Sequence, residues 1–347
     1  MIPTADPAVQ VFLWGNPETT QRDLLLAREA GFTWVKQRFE WRNIEKNGKG
    51  QFEWQEPDRI VQAIADSGLR LVARVDNQPK WASSRIAFPA SGPPDRLEDW
   101  TDYLTALATK YEGRIQAYEI WNEPNLGREW GEQTPDPAAY TRLLQASYAA
   151  VKAADPQALV VTAGMAPTTT SGEQAMRDMD FYRGMYAAGV KGSYDILGVH
   201  APGFRADPCT DPTQVAEDTA LTNHDPSPPE ARRVYAFRHV EDVRQLMVDA
   251  GDSLRQMAIL EAGWTTDRRP NSAYRWHAVS EEDQARHLAA AFRCARQYMS
   301  PWLAFMTVIY VADPAWTPQQ EQFWWSITNP DGSVRPAYST LKQAFTS

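Results

Sequence analysis

Short apolar runs alternate with amphipathic segments along the whole chain, and this alternation limits the fold more than any other feature. Val9–Gly15, Phe32–Phe39, Leu69–Val75, Ile115–Asn122, Ala158–Gly164, Tyr194–His200, Met257–Glu261 and Leu303–Val311 read as strands. Between and after them, Thr19–Ala30, Pro57–Ser67, Arg96–Glu112, Ala138–Ala154, Gln174–Ala188, Ala231–Ala250, Glu281–Met299 and Ala337–Phe345 read as helices. Helix signals punctuate the pattern: Pro57 in a first turn, Gly31, Gly68 and Gly113 just past helix ends, and Ser280 with Asp283 as a box-like start. Leu288, Phe292, Ala295 and Met299 fall on one helical face and are expected in the core. Strict β–α alternation implies parallel strands joined by right-handed crossovers. Eight such units predict an α/β fold of the (β/α)₈ TIM-barrel class, a single catalytic barrel over residues 1–347. A doubly wound sheet is the competing architecture, but no GxGxxG follows the first strand. The longest irregular stretch, residues 201–229, is expected as a loop over the face formed by the C-terminal strand ends.

Composition excludes several partners. The net charge of −9 is unsuited to nucleic acid or an anionic membrane. No apolar stretch approaches the ~18 residues of a membrane span. No signal peptide is visible at the N-terminus, which leaves localisation open, and oligomeric state is not legible. Cys209 and Cys294 are read as a free pair, with one bridge as the alternative. The five histidines show no HxH or HExxH spacing, so neither metal nor cofactor is expected. Fourteen Trp is a high count, and Trp needs either a core or a flat ligand to cover it.

In a barrel of this class the active groups sit at C-terminal strand ends. The fourth strand ends Trp121-Asn122-Glu123-Pro124 and the seventh ends Leu260-Glu261-Ala262-Gly263-Trp264. A carboxylate at the tip of a buried strand is costly unless it is hydrogen-bonded or functional. Two of them suggest glycoside cleavage, in which one carboxyl protonates the leaving oxygen and the other attacks the anomeric carbon or activates a water.

The run from Tyr118 to Asn125 (YEIWNEPN) resembles the strand-four signature of clan A glycoside hydrolases, and Ile259–Trp264 (ILEAGW) resembles their strand-seven nucleophile segment. Trp41–Glu45 followed by Gly50–Trp54, and Asn329–Ser333 followed by Arg335–Tyr338, are similar to segments of family 39 and, next, family 5. The resemblance implies a retaining β-glycosidase acting on oligo- or polysaccharide by double displacement. It makes Glu123 the acid/base, Glu261 the nucleophile and Asn122 a ligand of the substrate 2-hydroxyl. It also implies a basic residue near the end of the second strand, either Lys36 or Arg38, which share a face by strand alternation. His200 stands where the clan often has His-x-Tyr, but Ala201-Pro202 follows, and a core histidine is the competing reading. Trp81, Trp264, Tyr310 and Trp316 are expected to contact sugar, with Asp313 beside them. Glu119 is read as structural. Asp76 and Asn77 are read as either hydroxyl ligands or turn residues. A non-catalytic glycan-binding barrel and a transglycosidase using the same two glutamates are the alternative functions.

Overall fold

The computed structural model describes residues 1–2 and 4–346. Its strands are β1 (Asp6–Gln10), β2 (Trp34–Arg38), β3 (Arg70–Val75), β4 (Ala117–Ile120), β5 (Leu159–Thr162), β6 (Ile196–Pro202), β7 (Gln256–Gly263) and β8 (Leu303–Val308). They form one closed barrel in sequence order, and the pairings are parallel where the register is recorded, as in Val75↔Ile120 and Val9↔Val308. This is the expected (β/α)₈ class. Every residue of β4 and of β8 is buried, which is why these segments, Glu119 and Thr307 apart, read as apolar runs rather than as alternating ones.

Several helix ends carry recognisable capping chemistry. Asp136 accepts from the backbone N–H groups of Ala138 and Ala139 ahead of Pro137–Ala154. Ser280 Oγ accepts from Asp283 N at 3.0 Å. Gly68 closes Gln55–Ser67 in the left-handed region at φ 76°. The expected helix Ala231–Ala250 is instead broken. Pro229–Arg232 gives way to 3₁₀ turns at Arg233–Tyr235 and Phe237–His239 before Val240–Asp249 resumes. Ala236, extended at ψ 137°, marks the break. Tyr235 packs edge-on against Phe204 at 5.0 Å, and Arg233 forks onto Asp242 at 2.6 and 2.8 Å. Side-chain anchoring has overridden a helical pattern that contains no Pro or Gly to warn of it.

By internal contacts the chain divides into two compact units, and the division passes through β2 and β6. The first comprises Met1–Lys36, Val199–Gln245 and Gln256–Ser347; the second comprises Gln37–Gly198 and Leu246–Arg255. In the second unit, buried aromatic rings touch in series: Trp41–Trp100 at 5.5 Å, Trp100–Trp121 at 5.8 Å, Trp121–Trp130 at 5.7 Å and Trp130–Tyr140 at 6.2 Å. Most contacts are edge-to-face, each worth about 0.5–1.5 kcal/mol beyond area burial. Much of the high tryptophan count is therefore core.

In the first unit, the stretch after β6 carries a short helix, Pro212–Glu217, above a small cluster of Ala206, Val215 and Ala236. Cys209 in this stretch is bonded to Cys294 in the helix Glu281–Tyr298. The free-pair expectation is thus corrected. The two residues are 85 apart in sequence but 5.5 Å apart at Cα, inside the range a disulfide spans. Sequence distance carried no trace of that approach. Among the described residues, no helix is long and apolar enough to cross a membrane.

The bridge closes a long loop, so chain entropy alone gives it a stabilising effect on the order of 4 kcal/mol. Cys209→Ser is expected to lower the thermal midpoint by several degrees, and reductant should do the same to the native protein. Superimposable calorimetric melts with and without reductant would contradict this.

Candidate active site

In the first unit the site is built around the end of β7. The β7–β8 register shifts between Met257 and Ile259 and again between Ile259 and Ala262. Such irregularity re-aims side chains at a sheet rim, and Glu261 lies inside it with a side chain 19 % exposed. Beneath it, Lys36 of β2 is fully buried. The Lys36 ammonium donates to the Leu260 carbonyl at 3.1 Å and lies 3.7 Å from Glu261 Oε1. His200 Nδ1 lies 3.8 Å from Glu261 Oε2. The alternative left open in the sequence resolves here. Lys36 is the basic residue beside Glu261, while Arg38 in the second unit pairs with Glu40 at 2.5 Å.

Two aromatic expectations separate. Tyr310 and Trp316 form a half-buried trio with Phe12, their centroids 4.6–5.4 Å apart. Trp264, expected to face sugar, is fully buried and is corrected to a packing residue. Gly203 lies flat against its indole, so that a Cβ there would fall 1.7 Å from Trp264 Cε2. Gly203 N donates to Gly263 O, and Gln284 Nε2 donates to Trp264 O at 2.7 Å. No face of the ring is left for a ligand.

In the second unit, β4 runs out into a tight turn. Trp121 and Glu123 take positive φ, 74° and 42°, on either side of Asn122. Backbone conformations of this kind are costly for residues with a side chain and persist only where surroundings over-determine them. Here the Trp121 indole donates to Glu129 O at 2.8 Å, Trp121 N donates to Val75 O, and Glu123 N donates to Gly164 O. Asn125 ties down the far side: its Nδ2 donates to the carbonyls of Ala166 and Met176, and its Oδ1 accepts from Ala166 N. The Glu123 side chain is 16 % exposed and its Oε2 lies 3.3 Å from Arg128 Nη2. Asn122 Oδ1 accepts from Arg74 Nη1 at 3.2 Å, and Arg74 Nε donates to Asp76 Oδ2 at 2.7 Å. Burial, and then the nearby Glu123 charge, push the Glu129 carboxyl above its ordinary range. Trp81 is half-buried, with its N–H committed to Glu45 O and its ring edge-on to Trp41. Glu119 is fully buried within β4. Arg74, Arg128 and Glu129 were not singled out in the sequence. The charged Arg74 inside the otherwise apolar run LVARV was the available signal.

Comparison with known proteins decides the family. The model of the Cellulase family (glycosyl hydrolase family 5) matches residues 3–227, well over half of the chain. The chain belongs to glycosyl hydrolase family 5. That places it in clan A, as the strand-four and strand-seven motifs implied. A family 39 glycoside hydrolase from the gut symbiont Bacteroides cellulosilyticus WH2 is similar in fold, with TM-score 0.70 at 18 % identity, over 99 % of this chain and 64 % of that one. A GH5_18 protein from Streptomyces cattleya, solved with GlcNAc, gives TM-score 0.64 at 14 % identity, over 99 % and 80 % of the two chains. In sequence, a β-xylosidase of Geobacillus stearothermophilus is 28 % identical over 130 residues, 33 % of this chain and 25 % of its own. The family 5 chain thus matches a quarter of that curated relative's length.

Beyond β7 the family 5 chain carries a buried histidine with a measurable signature. His277 is ringed by Trp276 at 4.7 Å, Phe204 at 5.1 Å, Tyr274 at 5.8 Å and Trp325 at 6.0 Å. Burial, and then the charge of Arg205, lower its pKa from 6.5 to about 4. Between these values the unfolded chain binds more protons than the folded one. Stability is therefore full above the unfolded value and falls as the pH drops toward the folded one, by roughly 3 kcal/mol in total. Urea midpoints should fall between pH 7.5 and pH 5, and His277→Phe should flatten that slope. A variant with the native slope would contradict the assignment.

Proposed function

We propose that this family 5 protein is a retaining β-glycosidase, cleaving O-glycosidic bonds of an oligo- or polysaccharide with Glu261 as nucleophile and Glu123 as acid/base. What carries the reading is the chemistry at two strand ends. In a closed parallel barrel all C-terminal strand ends share one rim. The ends of β4 and β7 each carry a partly exposed carboxylate held by a buried cation or a constrained turn. The β-xylosidase among its relatives favours a β-linked sugar of the xylose type.

The proposed reaction runs in two steps. Glu261 attacks the anomeric carbon as Glu123 gives its proton to the leaving oxygen, and a glycosyl ester forms. Water then attacks that carbon, Glu123 takes the water's proton, and the ester bond to Glu261 breaks. A retaining pair of this kind stands about 5–5.5 Å apart. Lys36 counters the charge on Glu261, His200 abuts its other oxygen, and Asn122 donates to the 2-hydroxyl. Tyr310 and Trp316 offer ring surface to the C–H faces of a sugar, and Trp81 does so from the second unit.

Aryl β-glycosides (xyloside, glucoside, N-acetylglucosaminide) and a polysaccharide panel define the substrate. Proton NMR of the first product should show the β-anomer from a β-glycoside, and the α-anomer would contradict the mechanism. Glu261→Gln should lose at least about 10⁴-fold in turnover with an unchanged circular dichroism spectrum. Glu123→Ala should lose about 10²–10⁴-fold on substrates with poor leaving groups and far less on activated aryl glycosides. Equal losses on both would remove Glu123 from the acid role. Intact glycan recovered from the native protein would favour a binding function, and glycosylated acceptors would favour transfer over hydrolysis.

A further inference from the structure

Arg74 lies within β3, one residue short of its end, and is 7 % exposed. A buried guanidinium must have its donors engaged. Here Nε is engaged by Asp76 Oδ2 at 2.7 Å and Nη1 by Asn122 Oδ1 at 3.2 Å. Asp76 is itself 2 % exposed, and its backbone oxygen accepts from Trp41 N, so the carboxylate that fixes the fork sits on a tethered strand end.

The chemistry of the pair has a directional consequence. A primary amide can turn over and present either its oxygen or its NH₂ to a given neighbour, at little cost when that neighbour can both donate and accept. Arginine cannot accept. The end of the Asn122 amide that faces Arg74 is therefore its oxygen, and the NH₂ is turned the other way. The backbone cannot supply this choice: the positive φ values of Trp121 and Glu123 fix where Cα of Asn122 sits, not which way its amide is turned.

We infer that Arg74 is a positioning residue, clamped by Asp76, that locks the amide of Asn122 with its NH₂ turned toward the substrate hydroxyl beside the scissile bond. This rests on the glycosidase reading above. It assigns the selection of a hydroxyl over a hydrogen at that carbon to a residue within β3 that does not touch the sugar. A merely structural Arg74–Asp76 pair would hold the strand end and would be indifferent to that hydroxyl.

Two measurements test it. In the first, p-nitrophenyl β-D-glucopyranoside and its 2-deoxy counterpart are compared as substrates of the native protein, Arg74→Met, Arg74→Lys and Asn122→Ala. The preference in kcat/KM for the hydroxylated sugar should fall about 10- to 100-fold in Arg74→Met, mainly through kcat, and to the same level in Asn122→Ala. Arg74→Lys, which keeps a donor-only group, should recover part of it. Equal loss on both sugars in Arg74→Met would overturn the inference. In the second, the Asn122 side-chain NH₂ signals are followed in protein labelled with ¹⁵N-asparagine, assigned by their disappearance in Asn122→Ala. They should form one sharp, dispersed pair that broadens or moves in Arg74→Met and returns in Arg74→Lys. An unmoved pair in Arg74→Met would overturn the inference without reference to activity. Turnover of neither glycoside would count against the glycosidase reading for that sugar, and the NMR result would still decide the role of Arg74.

Discussion

A lysine ammonium sealed inside a barrel has to be answered, and the burial of Lys36 sets the terms for one side of the rim. Removing that charge from water costs several kcal/mol unless hydrogen bonds and an anion compensate. The Leu260 carbonyl supplies the first and the Glu261 carboxylate the second. Both belong to β7, where the ladder is irregular. The irregularity and the buried cation therefore act together. One turns Glu261 out of the regular alternation and the other lies against its carboxylate, which stays within reach of solvent. Lysine provides a point charge rather than the two-pronged fork of arginine, so orientation of the carboxylate depends more on its other neighbour, His200.

The second unit holds Glu123 by different means. There the backbone carries the constraint, with two residues in the left-handed region on either side of Asn122. Such a turn keeps its shape because the packed indoles of Trp100, Trp121 and Trp130 leave it no room to relax, and because Asn125 satisfies three backbone groups around it. The amides of Asn122 and Asn125 are fixed by partners that can only donate or only accept. That is the arrangement by which an enzyme pre-orients hydrogen bonds for a developing charge.

The sequence was most legible where one chemical rule acted alone. Eight strands and the glycine and proline signals around their helices followed from apolar periodicity and backbone preference. Glu123 and Glu261, the residues proposed for catalysis, drew notice because a carboxylate at a buried strand end has no cheap structural purpose. Reading failed where distant segments decide. Ala231–Ala250 has a good helical pattern, yet Tyr235 and Arg233 find partners that require Ala236 to be extended. The Cys209–Cys294 bridge and the burial of Trp264 under Gly203 likewise depend on the approach of segments far apart in the chain. Lys36 and Arg38 could not be separated by alternation because both satisfy it; Glu40, two residues on, is what claims Arg38.

Chemically, everything assigned to this family 5 chain converges on a transient ester at one glutamate. Incubation with an activated 2-deoxy-2-fluoro-β-glycoside of the sugar it cleaves, followed by proteolysis and mass spectrometry, tests that ester directly. The account predicts a single glycosyl adduct on the peptide containing Glu261, with loss of activity in step with labelling. An adduct on the peptide containing Glu123, or inactivation without any covalent label, would contradict it.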